Sequence, residues 1–241
     1  MTTATDRHAP QDVAPKRLIV ISAGTGDPSS TRQLTDRIAQ KTLARLRAAI
    51  TPASSSVIDL GPLALDIARA TTAGFPSEQL QAAIDRLAAA DAVIAATPVY
   101  KAGMSGLFKS FVDVLDDDLL VAKPVLLAAT GGSARHALVI DDQMRSLFAY
   151  LRALTLPTSI YAAPEDWGAT ELGDRIDRAA TELTVLLHAG VEDQIAWSSY
   201  QHQFAGNATR AERDAADVDF DSPLMRLAAG GRLDPTERGA A

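Results

Sequence analysis

Residues 92–115, AVIAATPVYKAGMSGLFKSFVDVL, constrain the fold more than any other stretch of the chain. Ala92–Ala96 is an unbroken apolar run, rich enough in Val and Ile for a strand buried on both faces. Thr97-Pro98 is expected to stop that strand, because proline donates nothing to a sheet ladder and holds its predecessor extended. Gly103, Ser105 and Gly106 follow. Met104, Leu107, Phe108, Phe111, Val112 and Leu115 then recur at helical spacing, which predicts a helix over Gly103–Leu115. A buried strand, a short loop with one exposed aromatic and a helix make half of a βαβ unit. In open α/β sheets, ligands bind where such a loop lies, beyond the carboxyl ends of the strands.

The rest of the chain repeats the alternation. Leu18–Ile21 reads as a first strand, Ser22–Ser30 (SAGTGDPSS) as a loop, and Thr31–Ile50 as a helix with Leu34, Ile38, Leu43 and Leu46 on its apolar side. Ser56–Leu60 is a second strand. Ser77 is placed to cap a helix that has Glu78 in its first turn and runs to about Ala90. Ala92–Ala96 comes third, and Pro124–Thr130 fourth, closed by Gly131-Gly132-Ser133. A helix is expected from about Arg135 to Leu154, a short fifth strand at Thr158–Ala162 before Pro164, and a long helix over about Glu171–Tyr200. Five strands alternating with five helices predict a parallel sheet with right-handed crossovers and helices on both faces.

The domain boundaries follow from where this period fails. Residues 1–16 are Thr-, Ala- and Pro-bearing without a period and read as a disordered arm. Residues 17–204 form one α/β domain, consistent with roughly 180–200 residues for a single core of this class. Residues 205–241 mix Asp, Arg, Gly and Pro around Phe220, Leu224, Met225 and Leu227, the pattern of a tail that docks a short segment.

Composition excludes several classes of chemistry. The chain has no cysteine, so disulfide scaffolds, thiol redox chemistry and Cys-ligated metal clusters are out; any electrons must travel on an organic cofactor. No apolar run approaches a bilayer span, and the first residues lack the apolar core of a signal peptide, which predicts a soluble cytoplasmic protein. The formal charge of −7 and the absence of a Lys/Arg cluster argue against nucleic acid.

Three loops at the strand ends carry the chemistry. In the first, which opens at Ser22, residues Ser29, Ser30 and Thr31 sit where a helix begins. Hydroxyls, backbone N–H groups and the positive helix end converge there, a setting that suits a phosphate; an N-cap serine alone would look the same. The loop is neither a P-loop, lacking its lysine, nor a Rossmann fingerprint, since Ser29 stands where the third glycine belongs. A phospho-acceptor site would need acids directly after the first strand, where Ser22-Ala23-Gly24 stands. The second loop, Pro98, Val99, Tyr100 and Lys101, offers an aromatic for stacking or for packing on the next helix, and a lysine that is either solvated or set against an anion. In the third, Thr130, Gly131, Gly132, Ser133 and His136, adjacent glycines allow close backbone approach, and the histidine is either structural or a ligand contact.

Thr97-Pro98-Val99-Tyr100-Lys101-Ala102, followed by Ser105-Gly106 and Lys109, resembles the central motif of the NAD(P)H-dependent FMN reductases, which have a flavodoxin-like fold. Among these it is similar to the flavin reductases that supply two-component monooxygenases. Thr130-Gly131-Gly132-Ser133 with His136 resembles a second segment of that family, and the likeness continues through Leu138, Asp141 and Arg145. Ser29-x-Thr31 before Leu34 resembles the pair that grips the FMN phosphate, whereas an arginine of the family near the front of this loop is missing from Thr25-Gly26-Asp27. The two matches span residues 17–160.

The resemblance implies a five-stranded flavodoxin-like sheet of order 2-1-3-4-5, with FMN held by Ser22, Ser29, Ser30, Thr31, Pro98, Val99, Tyr100, Lys101, Thr130, Gly131, Gly132, Ser133 and His136. NADPH or NADH would pass hydride to flavin N5, with no catalytic side chain and no metal, and reduced flavin would go to a monooxygenase. Two neighbouring readings are a quinone- or azo-type reductase with tightly held FMN and a flavodoxin-type one-electron carrier. The carrier would clamp the ring between aromatics on both flanking loops, and Thr130–His136 supplies none. The resemblance also implies a homodimer or homotetramer paired through the helix at Gly103–Leu115, with Phe108 or Phe111 near the two-fold axis. Asp116, Asp117 and Asp118 would then either meet arginines of a second subunit or lie solvated after the helix stops.

Overall fold

The computed structural model describes residues 15–199, with side chains to Ile195. The expected arm at 1–16, apart from its last two residues, and the tail at 205–241 lie outside the described residues. Strand β1 (Lys16–Ser22) is flanked by β2 (Ala53–Asp59) and β3 (Ala92–Tyr100), and β3 by β5 (Pro124–Thr130), all parallel. Two short strands, β6 (Leu154–Thr155) and β7 (Ile160–Ala162), both pair with β5; β7 falls within the fifth strand expected at Thr158–Ala162, and β6 was not foreseen. The order β2-β1-β3-β5-β6 is the flavodoxin-like 2-1-3-4-5.

Alternation along these strands feeds two cores. Ile19, Ile21, Val93, Ala95, Val125 and Leu127 point to one face, where α2 (Ala64–Ala73), α3 (Glu78–Ala88), α4 (Gly106–Asp113) and α5 (Arg145–Tyr150) pack. Leu18, Val20, Ala92, Ile94, Leu126 and Ala128 point to the other, under α1 (Ser30–Ala48) and α6 (Thr170–Ala189). Five of these helices, α1 to α4 and α6, have a capping residue in the sequence. Ser29, Ser77 and Ser105 accept the amides of Arg32, Leu80 and Phe108, and Gly74 and Gly190 close α2 and α6 in the left-handed conformation.

Several expectations are corrected. β3 does not stop at Thr97-Pro98: Pro98 lies in the strand opposite Thr130. Beyond Ala96 strand β1 has ended, so β3 is open on that side and a residue without N–H is tolerated there. Gly103–Met104 is not helical but forms β4, which pairs antiparallel with Val99–Tyr100, and α4 starts only after the Ser105 cap. The long helix breaks at Gly190, with α7 (Val191–Ser199) following. The stretch expected as one helix from Arg135 is a 3-10 turn at Ala134–His136, a π-helical turn at Ile140–Met144 and then α5. Helix α2 was not foreseen.

Phe108 and Phe111 cannot lie on a two-fold axis, because both are fully buried inside this chain. Phe108 packs against the Phe148 ring of α5, with centroids 6.3 Å apart. The helix ends at Asp113, ahead of the three acids, and Asp117 accepts the Tyr150 hydroxyl at 3.1 Å.

Candidate functional site

Three loops at the carboxyl ends of β1, β3 and β5 enclose an open cleft of about 460 Å3, ordinary for a small-molecule site. Its first wall is the start of α1, with Ser29, Ser30 and Thr31. Ser29 caps the helix through Arg32 N at 3.2 Å. The amides of Ser30 and Thr31 have no acceptor within the helix by geometry, which makes this helix end a donor surface for an anion. Gly24 closes the loop against it. A Cβ at Gly24 would overlap the Ser29 hydroxyl and approach Thr31 Cβ to 2.9 Å, so only glycine lets the chain fold down there.

The second wall is Pro98, Val99 and Tyr100, carried out of the sheet by the continuation of β3. Tyr100 is 54% exposed, so it is not packed away on the next helix. Lys101 is exposed on the following turn and does not line the cleft. The third wall is Thr130, Gly131 and Gly132. A Cβ at Gly131 would overlap the Tyr161 hydroxyl, which donates to Ser133 O at 2.7 Å and so pins the loop from below. Burial, with help from the carboxylates of Glu165 and Asp166, pushes the Tyr161 pKa up and keeps this hydroxyl a donor. The first and third walls meet inside: Thr31 Oγ1 and Thr130 Oγ1 are 2.7 Å apart and buried.

Of the residues expected at the site, nine therefore share one cleft: Ser29, Ser30, Thr31, Pro98, Val99, Tyr100, Thr130, Gly131 and Gly132. Ser22 lies beneath, 1% exposed, its Oγ without a hydrogen-bond partner among the described residues. Ser133 and His136 continue past the lining. Arg145 is structural: it pairs with Asp141 and holds Leu156 O at 2.9 Å.

Sequence reasoning missed a fourth wall, Ala162, Pro164 and Trp167, which follows β7. The rule that put the other loops at strand ends applies equally to the one after Ala162. Trp167 has the Arg37 guanidinium over its ring at 5.8 Å. On the far side of the Gly24–Ser29 loop is a second, open depression of about 590 Å3, flanked by Arg32 and Asp59. Both have partners, Asp36 and the Gly61 amide.

The lining presents hydroxyls, backbone amides and two aromatic rings around a slot that is anion-binding at one end. It can hold a phosphorylated, planar heteroaromatic molecule with one face open. Comparison with known proteins agrees. The model of the family described as NADPH-dependent FMN reductase matches residues 16–168. The chain is 39% identical over 154 residues to an FMN reductase (NADPH) of Pseudomonas aeruginosa, covering 64% of this chain and 80% of that one. It is 38% identical over 176 residues to the NADH-dependent FMN reductase SfnE of Pseudomonas putida, covering 73% and 89%. Among solved structures, an oxidoreductase from Corynebacterium diphtheriae superposes with a TM-score of 0.71 at 43% identity, over 73% of this chain and 98% of the other.

Proposed function

The chain belongs to the NADPH-dependent FMN reductase family, and on that premise we propose that it moves hydride from a reduced pyridine nucleotide to flavin N5 and releases reduced FMN to a partner monooxygenase. The observation that carries this reading is the convergence of an anion-binding helix end and two backbone-lined loops on one open slot. FMN fits these residues. Ser29 Oγ and the first amides of α1 match a phosphate, Gly24 and Gly131 leave space that a methyl would fill, and the buried Ser22 Oγ lies beneath the same strand end. Bound FMN supplies the hydride acceptor.

The residues of this chain bind and orient. The start of α1 holds the phosphate end, while Val99 and Tyr100 on one side and Gly131 and Gly132 on the other hold the ring by its edges. The glycine loop itself carries no aromatic side chain, and the slot is open enough for a nicotinamide to approach. We propose an assembly of at least two copies, without Phe108 or Phe111 at its axis because both are buried within the chain; sedimentation equilibrium at micromolar concentration tests it.

The deciding experiment titrates flavin-free protein with FMN and with riboflavin, then follows NADPH and NADH oxidation. Exchangeable FMN, bound at least about tenfold tighter than riboflavin and reduced by either nucleotide, supports the proposal. FMN that survives gel filtration and turns over only with a quinone favours the tight-cofactor reductase. Protein that binds no flavin overturns both.

A further inference from the structure

We infer that Gln143 is a positioning residue for the cleft: its carboxamide clamps the hairpin that carries Tyr100. The inference rests on the reading of the cleft as the FMN site. The hairpin needs a clamp. Its ladder is two residues deep, Val99 with Met104 and Tyr100 with Gly103, and so short a ribbon is marginal by itself. Its turn is worse than marginal. Lys101 and Ala102 have φ of 51° and 62°, the left-handed region that two-residue hairpin turns require and that Asn-Gly ordinarily fills. Neither Lys nor Ala prefers that region. A strained turn persists only where its surroundings over-determine it.

Gln143 supplies that surrounding from 39 residues away in the chain. Its Oε1 accepts the Met104 amide at 3.1 Å, and its Nε2 donates to Ala102 O at 3.3 Å. One side chain thus takes an acceptor from the turn, at Ala102, and a donor from the returning strand, at Met104, as a neighbouring strand would. Gly103 permits the approach, since a Cβ there would lie 3.1 Å from Gln143 Oε1. The base of the clamp is fixed. Gln143 stands in the π-helical turn Ile140–Met144, whose end residues are both buried in the core, and the extra residue of such a turn re-aims side chains relative to a regular helix. Tyr100 precedes the turn directly, so its place at the cleft is set by the hairpin and, through the hairpin, by Gln143.

The test uses the full-length protein. In flavin-free protein, Gln143→Ala is expected to speed hydrogen exchange of the Met104 amide by at least about tenfold. In turnover with NADPH, the Michaelis constant for FMN is expected to rise about five- to tenfold while kcat changes by less than about twofold. Adding Ala102→Gly to Gln143→Ala should recover most of the loss, because glycine holds a positive φ unaided. Gln143→Glu keeps an acceptor for Met104 but has no N–H for Ala102, and should fall between; it takes over the test if the alanine variant does not fold. Faster Met104 exchange with an unchanged Michaelis constant overturns the positioning role. So does a loss that Ala102→Gly leaves untouched, which would place Gln143 directly on the ligand. Wild-type protein that binds no FMN overturns the functional reading, and the positioning role with it.

Discussion

Thr31 and Thr130, 99 residues apart in the chain, share a buried hydroxyl–hydroxyl hydrogen bond of 2.7 Å that ties the start of α1 to the end of β5. The helix end proposed to take the phosphate is thereby fastened to the loop proposed to face the ring. Thr31→Val removes one partner and leaves Thr130 buried and unsatisfied, which should cost about 1–3 kcal/mol in urea unfolding. Thr31→Val with Thr130→Val removes both and should be closer to wild type than the sum of the single changes. Strict additivity in that cycle would mean the two hydroxyls act separately.

Ser29 allows capping and phosphate binding to be told apart. Aspartate caps a helix as well as serine, so Ser29→Asp should keep stability within about 0.5 kcal/mol. Its charge should repel a phosphate and weaken FMN by about tenfold or more, with riboflavin little changed. Equal effects on the two flavins would move the phosphate elsewhere.

The glycine loop makes a steric prediction. Gly131→Ala drives a methyl into the Tyr161 hydroxyl, and overpacking of this kind should cost about 1–3 kcal/mol. Tyr161→Phe removes the oxygen and should restore part of the loss in the double variant, although the bond to Ser133 O goes with it. Thermal melts of the three variants decide; a Gly131→Ala protein as stable as wild type would show that the loop moves aside.

Much of this was legible because the strands are buried on both faces and so read as apolar runs: Val20, Ile94 and Leu126 leave no doubt about β1, β3 and β5. What failed needed neighbours that a linear reading does not show. Helix α2 has no side-chain N-cap, and its Ala- and Thr-rich turn bears few large apolar residues, so it went unseen. With α2 unseen, the sequence shows no neighbour within the chain for the arc of Phe108, Phe111 and Val112 beyond the sheet face. In the fold, α4 packs against α2 and α5 within the same chain. Pro98 was misjudged for a similar reason, since only the register shows that β1 has already ended beside it.

The amino end of the sheet carries a pH prediction. Lys123, 2% exposed, is held by the carbonyls of Ala88 and Ala90 and by Glu192 Oε1 at 2.7 Å. Burial pushes the Glu192 pKa up from its ordinary 4.5, against the pull of Lys123, and Asp193 and Asp91 push the same way. A raised folded pKa means the native state takes up the proton first, so this contribution is complete below the unfolded pKa and lost as pH rises through the folded one. Glu192→Gln should therefore flatten the fall of the urea midpoint as pH rises above 4.5. An identical pH slope in the variant would mean the carboxyl does not titrate differently in the two states.

β3 runs without a break from Ala92 in the middle of both cores to Tyr100 at the mouth of the cleft. The residues that line the cleft, Pro98 to Tyr100, therefore belong to the same strand that is buried between the two cores, with the clamped hairpin at its tip. A transplanted loop with foreign residues at 98–102 is therefore expected to keep its donor's geometry only when the strand behind it comes too.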